Sequence, residues 1–321
     1  MKLIRFVVLL VHFVVVIALF TTMLNEYIAP SQIDCLNFLS LGFPYLFILH
    51  VLFIILWVLM WKKRAFFFIF LTVFIFKPIS RWFAWNNQGE GKIKVITLNG
   101  HNGNEGIQKI KKFLRSKSPD IVLMQEFDDA NKLYGNKVQN KHLAIITPHE
   151  IIRKRNIIDE KALGGSFFAD VNINGRIIRI VNIYLEPFHL EKNMIKPESD
   201  LEVNQKKIDN LLHKMPPVFR DHEIQLRFIK KYITHSPYPV IVGGDLNAVP
   251  NSWEYYFLEN MVHDAFVQAG RGSGTTFHDF KIPMRIDYLF NSKSIIAKKY
   301  RVYREKKLSD HFPVIAEFDI L

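Results

Sequence analysis

The chain has 321 residues, with 42 Lys and Arg against 30 Asp and Glu, and carries a net charge of +12. Its only cysteine, Cys35, excludes an intrachain disulfide and a cysteine-rich zinc site, so no disulfide partner is expected. The basic balance favours polyanionic partners such as nucleic acid, nucleotides or an anionic lipid surface. A solvated basic surface without a specific partner is the alternative.

Apolar residues are concentrated in the first 85 positions, which we interpret as a membrane anchor. The runs at about 3–24 and 38–61 are long enough to cross a hydrocarbon layer of about 30 Å. The first run lacks a small-residue cleavage site, so it is interpreted as a retained helix. A third segment, at about 65–80, has only 12 residues before Lys77. It is predicted to be a short tilted span, with a re-entrant or surface-lying segment as the alternative.

The basic loop Lys62-Lys63-Arg64 between the second and third segments predicts the topology. The loop before it, between the first two runs, contains no Lys or Arg. The positive-inside rule therefore places the N-terminus and the basic loop in the cytoplasm. Three spans would put the remainder of a multi-pass membrane protein outside the cytoplasm, whereas two would leave it inside.

A polar, glycine-rich stretch at 86–91 is the predicted linker to a catalytic domain at 92–321. Patterns in that domain mix strands with helices and lack a regular βαβ alternation. The predicted strands are 92–98, 121–124, 143–146, 166–171, 177–185, 239–242, 285–290 and 312–318. Asn174-Gly175 predicts a hairpin turn. Helices are predicted at 107–114 and within 202–235, where Pro216-Pro217 is expected to interrupt the helix.

Polar side chains cluster at the ends of these apolar strands. They are Glu126, Asp245, Asn247, Asp287, Asp310 and His311. If the strand ends converge, these residues form an oxygen-rich site of the kind that Mg²⁺ or Mn²⁺ prefers over zinc. Such a cation polarises a phosphoryl oxygen. Each piece alone has a plainer interpretation, such as an exposed loop acid, an Asx turn or an edge strand.

Two pairs within this set suggest hydrolytic chemistry. In Asp245-Leu246-Asn247 the carboxylate can take a proton from water while the amide orients water or phosphate. Asp287 can fix the tautomer of His311 and favour its charged form, which would stabilise a pentacovalent phosphate.

The ordered set of motifs resembles the endonuclease/exonuclease/phosphatase superfamily, in a bacterial branch with N-terminal membrane spans. The matching motifs are Thr97-Leu98-Asn99, Gln125-Glu126, Val181-Asn182-Ile183-Tyr184-Leu185, Gly244-Asp245-Leu246-Asn247, Arg285-Ile286-Asp287-Tyr288 and Ser309-Asp310-His311. This resemblance implies an α/β (α+β) fold: a four-layer sandwich of two mixed β-sheets flanked by helices, here preceded by transmembrane helices.

By motif position, the resemblance also implies a role for each residue. Glu126 and Asp310 would hold the metal, Asn99 would support the metal or phosphate, and Asp245 with Asn247 would activate and orient water. His311 and Asp287 would face the scissile phosphate.

Tyr184 stands where many relatives have histidine. It could still hydrogen-bond the phosphate or the leaving oxygen. His189 is a weaker candidate for that place, and His101 is either a substrate contact or a loop residue.

The sequence therefore predicts a membrane-anchored, divalent-metal-dependent phosphodiesterase, with nucleic acid as the favoured substrate and a monomeric catalytic domain. A phospholipid or inositol-phosphate substrate is the first alternative. A catalytically silent binding module on the same fold is the second.

Overall fold

The structure, a computed structural model, describes residues 2–133, 135–157, 164–279, 284–305 and 307–321. A bundle of apolar helices precedes two mixed sheets flanked by helices, which confirms the predicted fold class. In the described chain the α-helices are α1 (Lys2–Thr21), α2 (Cys35–Leu59), α3 (Arg64–Phe74), α4 (Phe76–Ser80), α5 (Ile107–Lys117), α6 (Lys192–Ile195), α7 (Leu201–Thr234), α8 (Trp253–Glu259) and α9 (Ala265–Ala269).

Two six-stranded sheets form the centre of the molecule. The strands in chain order are β1 (Phe83–Trp85), β2 (Ile93–Asn99), β3 (Ile121–Gln125), β4 (Asn136–Asn140), β5 (Leu143–Thr147), β6 (Glu150–Asn156), β7 (Gly165–Ile173), β8 (Arg176–Tyr184), β9 (Val240–Asp245), β10 (His263–Asp264), β11 (Arg271–Ser273), β12 (Asp287–Asn291), β13 (Ile295–Val302) and β14 (Val314–Ile320). The first sheet has the order β13-β14-β2-β3-β5-β4, and the second has the order β10-β12-β9-β8-β7-β6.

Each six-stranded sheet has one parallel pair at its centre, β2 with β3 and β8 with β9, and antiparallel pairs elsewhere. Apolar side chains from the facing surfaces, such as Leu123 and Ile180, form the core between the sheets. Helix α5 covers the outer face of the first sheet through Ile110. Helices α7 and α8 cover the second sheet through residues such as Leu226 and Leu258. These four layers bury three apolar cores, because each sheet needs a partner on both faces.

Local signals predicted several elements correctly and missed others. Asn174 and Gly175 have φ values of 51° and 86° and join β7 to β8, which confirms the predicted hairpin turn. The predicted break at Pro216-Pro217 is wrong, because α7 continues through both prolines. Buried Met215 and Phe219 flank the pair, so packing of the helix offsets the lost backbone hydrogen bonds. Strands β4, β6 and β13 and helix α8 were not predicted.

The N-terminal segment folds as a compact bundle. Two of its described helical segments, Lys2–Glu26 and Cys35–Leu59, are long and apolar enough by length and composition to cross a membrane. The third apolar run divides at Ile75 into α3, with 11 residues, and α4, with five. Taken alone, α3 is shorter than the roughly 20 residues that a span normally needs.

A series of hydrogen bonds connects helices α1, α2 and α3 of the bundle. The indole Nε1 of Trp57 donates to Nδ1 of His12 at 3.0 Å, so Nε2 of His12 carries the hydrogen that points at Nδ1 of His50, 2.9 Å away. By the same logic, Nε2 of His50 donates to the Thr72 hydroxyl at 3.0 Å, and that hydroxyl donates to the Phe68 carbonyl. Each side-chain nitrogen and oxygen of His12, His50, Trp57 and Thr72 thus has a partner, which is required of polar groups placed among apolar helices.

The bundle and the sandwich are joined by paired backbone as well as by side chains. Strand β1 pairs with β11, and the backbone N–H of Asn86 donates to the Gly270 carbonyl at 3.1 Å. The Gln88 side chain donates to the carbonyls of Ala269 and Tyr300, both at 2.8 Å. The segment predicted as a linker at 86–91 is therefore fixed along the sandwich.

A buried ion pair at the β10 edge of the second sheet gives a test of how the sandwich is stabilised. Arg285 and Asp264 are fully buried and joined by two hydrogen bonds of 2.7 Å, and the Tyr255 hydroxyl donates to the same carboxylate. We expect Asp264→Asn to lower the free energy of unfolding by about 3–5 kcal/mol, because it leaves the Arg285 charge buried without its counterion. Urea unfolding of the detergent-solubilised chain measures this. The matched control is Glu305→Gln, which breaks an exposed pair with Arg301 and should cost less than about 1 kcal/mol.

Candidate active site

The register of the second sheet places three of the predicted residues in one row. Tyr184, the last residue of β8, lies opposite Asp245, the last residue of β9. Asp245 in turn lies opposite Asp287, the first residue of β12. Gly244 precedes Asp245 with a φ of 140°, and a Cβ built there would lie 1.9 Å from the Ile183 carbonyl oxygen. Only glycine allows β8 and β9 to approach this closely at the end of the row.

The first sheet contributes Asn99 and Glu126 to the same edge. Asn99 ends β2 opposite Gln125, and Glu126 follows Gln125 at the end of β3. Glu126 has a φ of 45°, in the left-handed region that glutamate rarely adopts. Backbone strain of this kind is concentrated at functional sites, where the surrounding structure holds it in place. Here it turns the Glu126 side chain towards the second sheet.

Asn99 connects the two sheets across the site. Its side-chain nitrogen donates to Oε1 of Glu126 at 2.8 Å and to Oδ2 of Asp245 at 3.0 Å. The Tyr184 hydroxyl donates to the same Oε1 of Glu126 at 2.8 Å. Burial raises the pKa of Tyr184 well above its ordinary value, and the carboxylates of Glu126 and Asp245 raise it further. Tyr184 is therefore a permanent hydrogen-bond donor to a predicted metal ligand.

Asp287 and His311 form the predicted pair. Nδ1 of His311 lies 2.9 Å from Oδ2 of Asp287, and Nε2 of His311 lies 3.9 Å from Oδ2 of Asp245. Burial alone would lower the pKa of His311, but the charge of Asp287, its hydrogen bond and the charge of Asp245 together raise the pKa to about 10. The imidazole is therefore positively charged at neutral pH, between two buried carboxylates.

The pKa of the Asp245 carboxyl group is also raised, which for an acid favours the neutral form. Burial raises its pKa to about 7, and the carboxylate of Asp287 adds to the rise. The charge of His311 and the N–H donors of Asn247 and Asn99 oppose it. A group with such a pKa exchanges protons near neutrality, which suits a general base.

Asn247 follows Asp245 in a tight turn. Its backbone N–H donates to Oδ1 of Asp245 at 2.8 Å, and its side-chain nitrogen donates to the Leu185 carbonyl at 2.9 Å. Its φ of 47° is left-handed, which asparagine tolerates better than most residues. Both N–H contacts fix the side chain at the end of β9, beside the carboxylate that we expect to activate water.

Asp310 lies at the rim of the site rather than in the buried row. The Ser309 hydroxyl donates to its Oδ1 at 2.8 Å, and Nδ1 of His101 lies 3.4 Å from the same oxygen. His101 thus stands beside a predicted metal ligand. His189 lies in the segment after β8, where its carbonyl accepts a hydrogen bond from Lys214 of α7.

The donor set fits a hard divalent cation. Among the described residues, the group whose potential ligand atoms lie within 4.8 Å of one another is Asp245, Asp287 and His311. The predicted ligands Glu126 and Asp310 are not members of this group, and a protonated His311 within it would repel a cation. Oδ1 of Asp287 is buried and has no hydrogen-bond partner among the described residues, which also indicates an excess of acceptor oxygens.

Two supporting interactions were not predicted from the sequence. The Thr276 hydroxyl accepts hydrogen bonds from the backbone N–H groups of Ile286 and Asp287, both at 3.1 Å, and so fixes the start of β12. The Gln125 side chain donates to Asn182 at 2.6 Å and connects β3 with β8 beneath the site. Gln125 and Asn182 stand inside the quoted motifs, whereas Thr276 has no sequence signal beyond the β-branched pair Thr275-Thr276.

Family models match both regions of the chain. The model of the Endonuclease/Exonuclease/phosphatase family matches residues 85–311, and a model for a domain of unknown function matches residues 5–82. The chain has no match among curated proteins.

Three solved structures share the fold of the sandwich. An endonuclease/exonuclease/phosphatase from Bacteroides vulgatus is 20% identical, with a TM-score of 0.50, over 71% of this chain and 99% of its own. A humanized D. rerio TDP2 is 15% identical, with a TM-score of 0.52, over 70% of this chain and 98% of its own. A third, from Beutenbergia cavernae, is 16% identical, with a TM-score of 0.51, over 71% of each chain.

The Thr276 contacts lead to a testable expectation. We expect Thr276→Val to lower kcat about tenfold with little change in KM, because two unpaired backbone N–H groups would displace Asp287 and hence His311. Steady-state hydrolysis of bis(p-nitrophenyl) phosphate measures both constants. Thr275→Val is the matched control, since the Thr275 hydroxyl contacts Ser273 outside the site. Equal losses in the two variants would contradict a role for Thr276 in positioning Asp287.

Proposed function

The chain belongs to the Endonuclease/Exonuclease/phosphatase family of phosphoester hydrolases, and from this premise we propose that it is a membrane-anchored, divalent-metal-dependent phosphodiesterase. The proposal is supported by the contact between the predicted metal ligand Glu126, the predicted base Asp245 and the His311–Asp287 pair. Asn99 bonds both Glu126 and Asp245, and the charged His311, held by Asp287, lies 3.9 Å from Asp245.

Glu126 and Asp310 would hold the cation, with Asn99 in support. When bound, a Mg²⁺ or Mn²⁺ ion supplies Lewis-acid polarisation of a phosphoryl oxygen. Tyr184 donates its hydrogen bond to Glu126 and thereby orients that carboxylate. Partners of this kind fix the direction of a ligand and raise metal affinity.

The remaining residues handle the proton and the developing charge. Asp245 takes the proton of the attacking water, since its raised pKa of about 7 makes it an effective base near neutrality. Asn247 lies beside Asp245 and orients the water or the phosphate. Protonated His311 faces the phosphate and stabilises the negative charge that grows on its oxygens. Asp287 keeps the imidazolium charged and directed.

Membrane anchorage is supported by what the bundle leaves uncovered. Outward-facing side chains on its helices, such as Leu3, Leu59 and Phe66, are 74%, 72% and 76% exposed. A surface of this kind is unstable in water and matches the hydrocarbon of a bilayer. The polar chain from His12 to Thr72 lies inside the bundle, as expected for polar groups in spanning helices.

The contacts of the bundle support a catalytic domain outside the cytoplasm. Helix α2 begins beside the domain, where Asn37 donates to Glu254, and its 25 residues extend about 37 Å away from it. The basic loop Lys62-Lys63-Arg64 therefore lies at the far end of the bundle. Residues 64–80 return to the domain, where Arg81 bonds Glu259. With the basic loop in the cytoplasm, the domain lies on the other side.

Nucleic acid is the substrate that the charge favours. Residues 92–321 carry 35 Lys and Arg against 27 Asp and Glu, a surplus that attracts phosphate backbones. D. rerio TDP2, which shares the fold at 15% identity, has been solved with a single-strand DNA product. The exposed edge strand β6, with Arg153, Lys154 and Arg155, provides basic surface on the second sheet.

The position of the site close to the N-terminal bundle favours a phospholipid head group as the substrate. The ring of Phe277 contacts the ring of His311 with 4.9 Å between centroids. Phe277 also belongs to an apolar cluster that includes Leu41 of α2 and Trp82. One layer of side chains therefore separates the catalytic histidine from the bundle. A site so close to the anchor meets phosphodiesters at the bilayer surface before those in solution.

A substrate panel tests the function directly. The full chain in nanodiscs is expected to hydrolyse a phosphodiester with Mg²⁺ and to lose activity with EDTA, with recovery on adding Mg²⁺ or Mn²⁺. The panel contains single-stranded DNA, RNA and vesicles of phospholipid, with release of nucleotides or of phosphorylated head group as the readout. Release from lipid alone would exclude the nuclease, and release from nucleic acid alone would exclude the lipid substrate.

Asp245→Asn is the control that separates chemistry from folding. It should abolish hydrolysis, because the amide cannot accept the proton of water. The melting temperature should be unchanged or slightly higher, because a buried carboxylate beside Asp287 is replaced by a neutral group. An active Asp245→Asn variant would overturn the assignment of the base.

Topology is testable with the single native cysteine. Cys35 is exposed and begins α2 beside the catalytic domain, so a membrane-impermeant maleimide added to intact cells, permeabilised only at any outer membrane, should label it. In a Cys35→Ser background, Lys62→Cys should be labelled only after disruption of the membrane that holds the bundle. The opposite pattern would place the domain in the cytoplasm.

A further inference from the structure

The turn that carries Asn247 continues into a short segment that contacts the N-terminal bundle. Residues 246–251, which we call the active-site loop, leave β9 at Asp245 and reach α8 through Ser252. The sandwich holds the beginning of this loop. The backbone N–H of Leu246 donates to the Ile286 carbonyl at 2.9 Å, and the Tyr288 hydroxyl donates to the Ala248 carbonyl at 2.9 Å.

The bundle holds the other end of the loop, at Asn251. The carbonyl oxygen of Asn251 accepts hydrogen bonds from the Asn25 side chain at 3.0 Å and from the Ser40 hydroxyl at 2.6 Å. Its side-chain Oδ1 accepts a hydrogen bond from Arg81 at 2.8 Å, and its nitrogen lies 3.4 Å from the Pro78 carbonyl. Asn251 is completely buried and has a left-handed φ of 68°. In the part of the chain that the structure describes, the side-chain and carbonyl hydrogen bonds that maintain its conformation are all made with residues 25–81.

A second set of contacts reaches the site from the same side. Val249 of the active-site loop packs with Phe277 in the cluster that includes Leu41 and Trp82 of the bundle. Phe277 also forms an isolated β-bridge with His311. The bundle thus contacts both the loop that carries Asn247 and the residue that packs on His311.

We propose that Asn251 is a positioning residue through which the docked bundle sets the place of Asn247 and Asp245 in the active site. The inference rests on the proposed phosphodiesterase function. Asn251 lies four residues from Asn247, so a shift at Asn251 is transmitted along a short, hydrogen-bonded loop. A displacement of about 1 Å at a catalytic group can lower the rate by a factor of about 100. The N-terminal helices are accordingly part of the catalytic architecture as well as an anchor.

The chain provides a matched pair of substitutions that separates positioning from docking. Asn25 and Asn37 are both buried residues of the bundle that donate to the sandwich. Asn25 donates to Asn251 in the active-site loop, whereas Asn37 donates to Glu254 in α8 at 3.0 and 3.1 Å. Asn37 also accepts a hydrogen bond from the backbone N–H of Trp253 at the start of α8. Asn37→Ala therefore removes at least as much of the interface without touching the loop.

The experiment compares Asn25→Ala and Asn37→Ala in the full chain in nanodiscs. Both should lower the melting temperature to a similar extent. Asn25→Ala should lower kcat about tenfold with KM within about twofold, while Asn37→Ala should keep kcat within about twofold of the wild type. Hydrogen exchange supplies a readout independent of catalysis: the amides of 246–249 and 251 should exchange faster in Asn25→Ala only.

Substitutions at Asn251 itself complete the test. Asn251→Gly keeps the left-handed backbone but removes the side chain, and should reduce kcat as Asn25→Ala does. Asn251→Asp retains an oxygen for Arg81 and should restore most of the activity. Equal kcat and equal loop exchange in Asn25→Ala and Asn37→Ala would overturn the proposal. A wild-type chain that hydrolyses no phosphodiester would instead overturn the proposed function, and the exchange measurement would still decide whether the bundle holds the loop.

Discussion

The structure depends on how two carboxylates are kept side by side in its interior. Asp245 and Asp287 lie directly opposite each other across β9 and β12, and each is only 1% exposed. Their repulsion in a region of low polarity would separate the strands if nothing offset it. His311 provides the compensating charge, and Asn99 and the Asn247 N–H provide donors. The two sheets must converge at this edge because these stabilising groups come from both of them.

Buried polar groups must also be paired where the bundle contacts the sandwich. Asn25, Asn37 and Arg81 are buried polar residues at the end of an apolar bundle, and each finds its partner in the sandwich. Unpaired, such groups cost about 1–3 kcal/mol each, so the two regions are stable as one unit. The site is therefore held at a fixed distance from the bundle instead of moving freely on a tether.

Sequence patterns predicted the site residues that lie at strand ends. They failed for elements whose conformation is determined by packing between distant segments. Glu126, Asp245 and Asp287 follow or begin apolar strands, so their convergence could be expected from the pattern alone. Pro216-Pro217 indicated a break, but α7 continues through both prolines. The contact of Phe219 with Phe38 of the bundle, which helps to hold the helix there, has no local signal in the sequence. Strand β6 was missed since its exposed edge lacks apolar alternation. The bonds of Asn251 join positions 170 or more residues apart and have no local signature.

The distribution of charge connects the site with its substrate. The catalytic domain has a surplus of basic residues, yet the site itself contains the carboxylates of Glu126, Asp245, Asp287 and Asp310 around one imidazolium. Without a cation this site would repel the phosphate that the rest of the surface attracts. In the proposed function, a divalent ion held by Glu126 and Asp310 would reverse the local sign on one side of the site, and protonated His311 would do so on the other. Phosphate would then be attracted to the space beside these positive charges, where Asp245 is proposed to activate water.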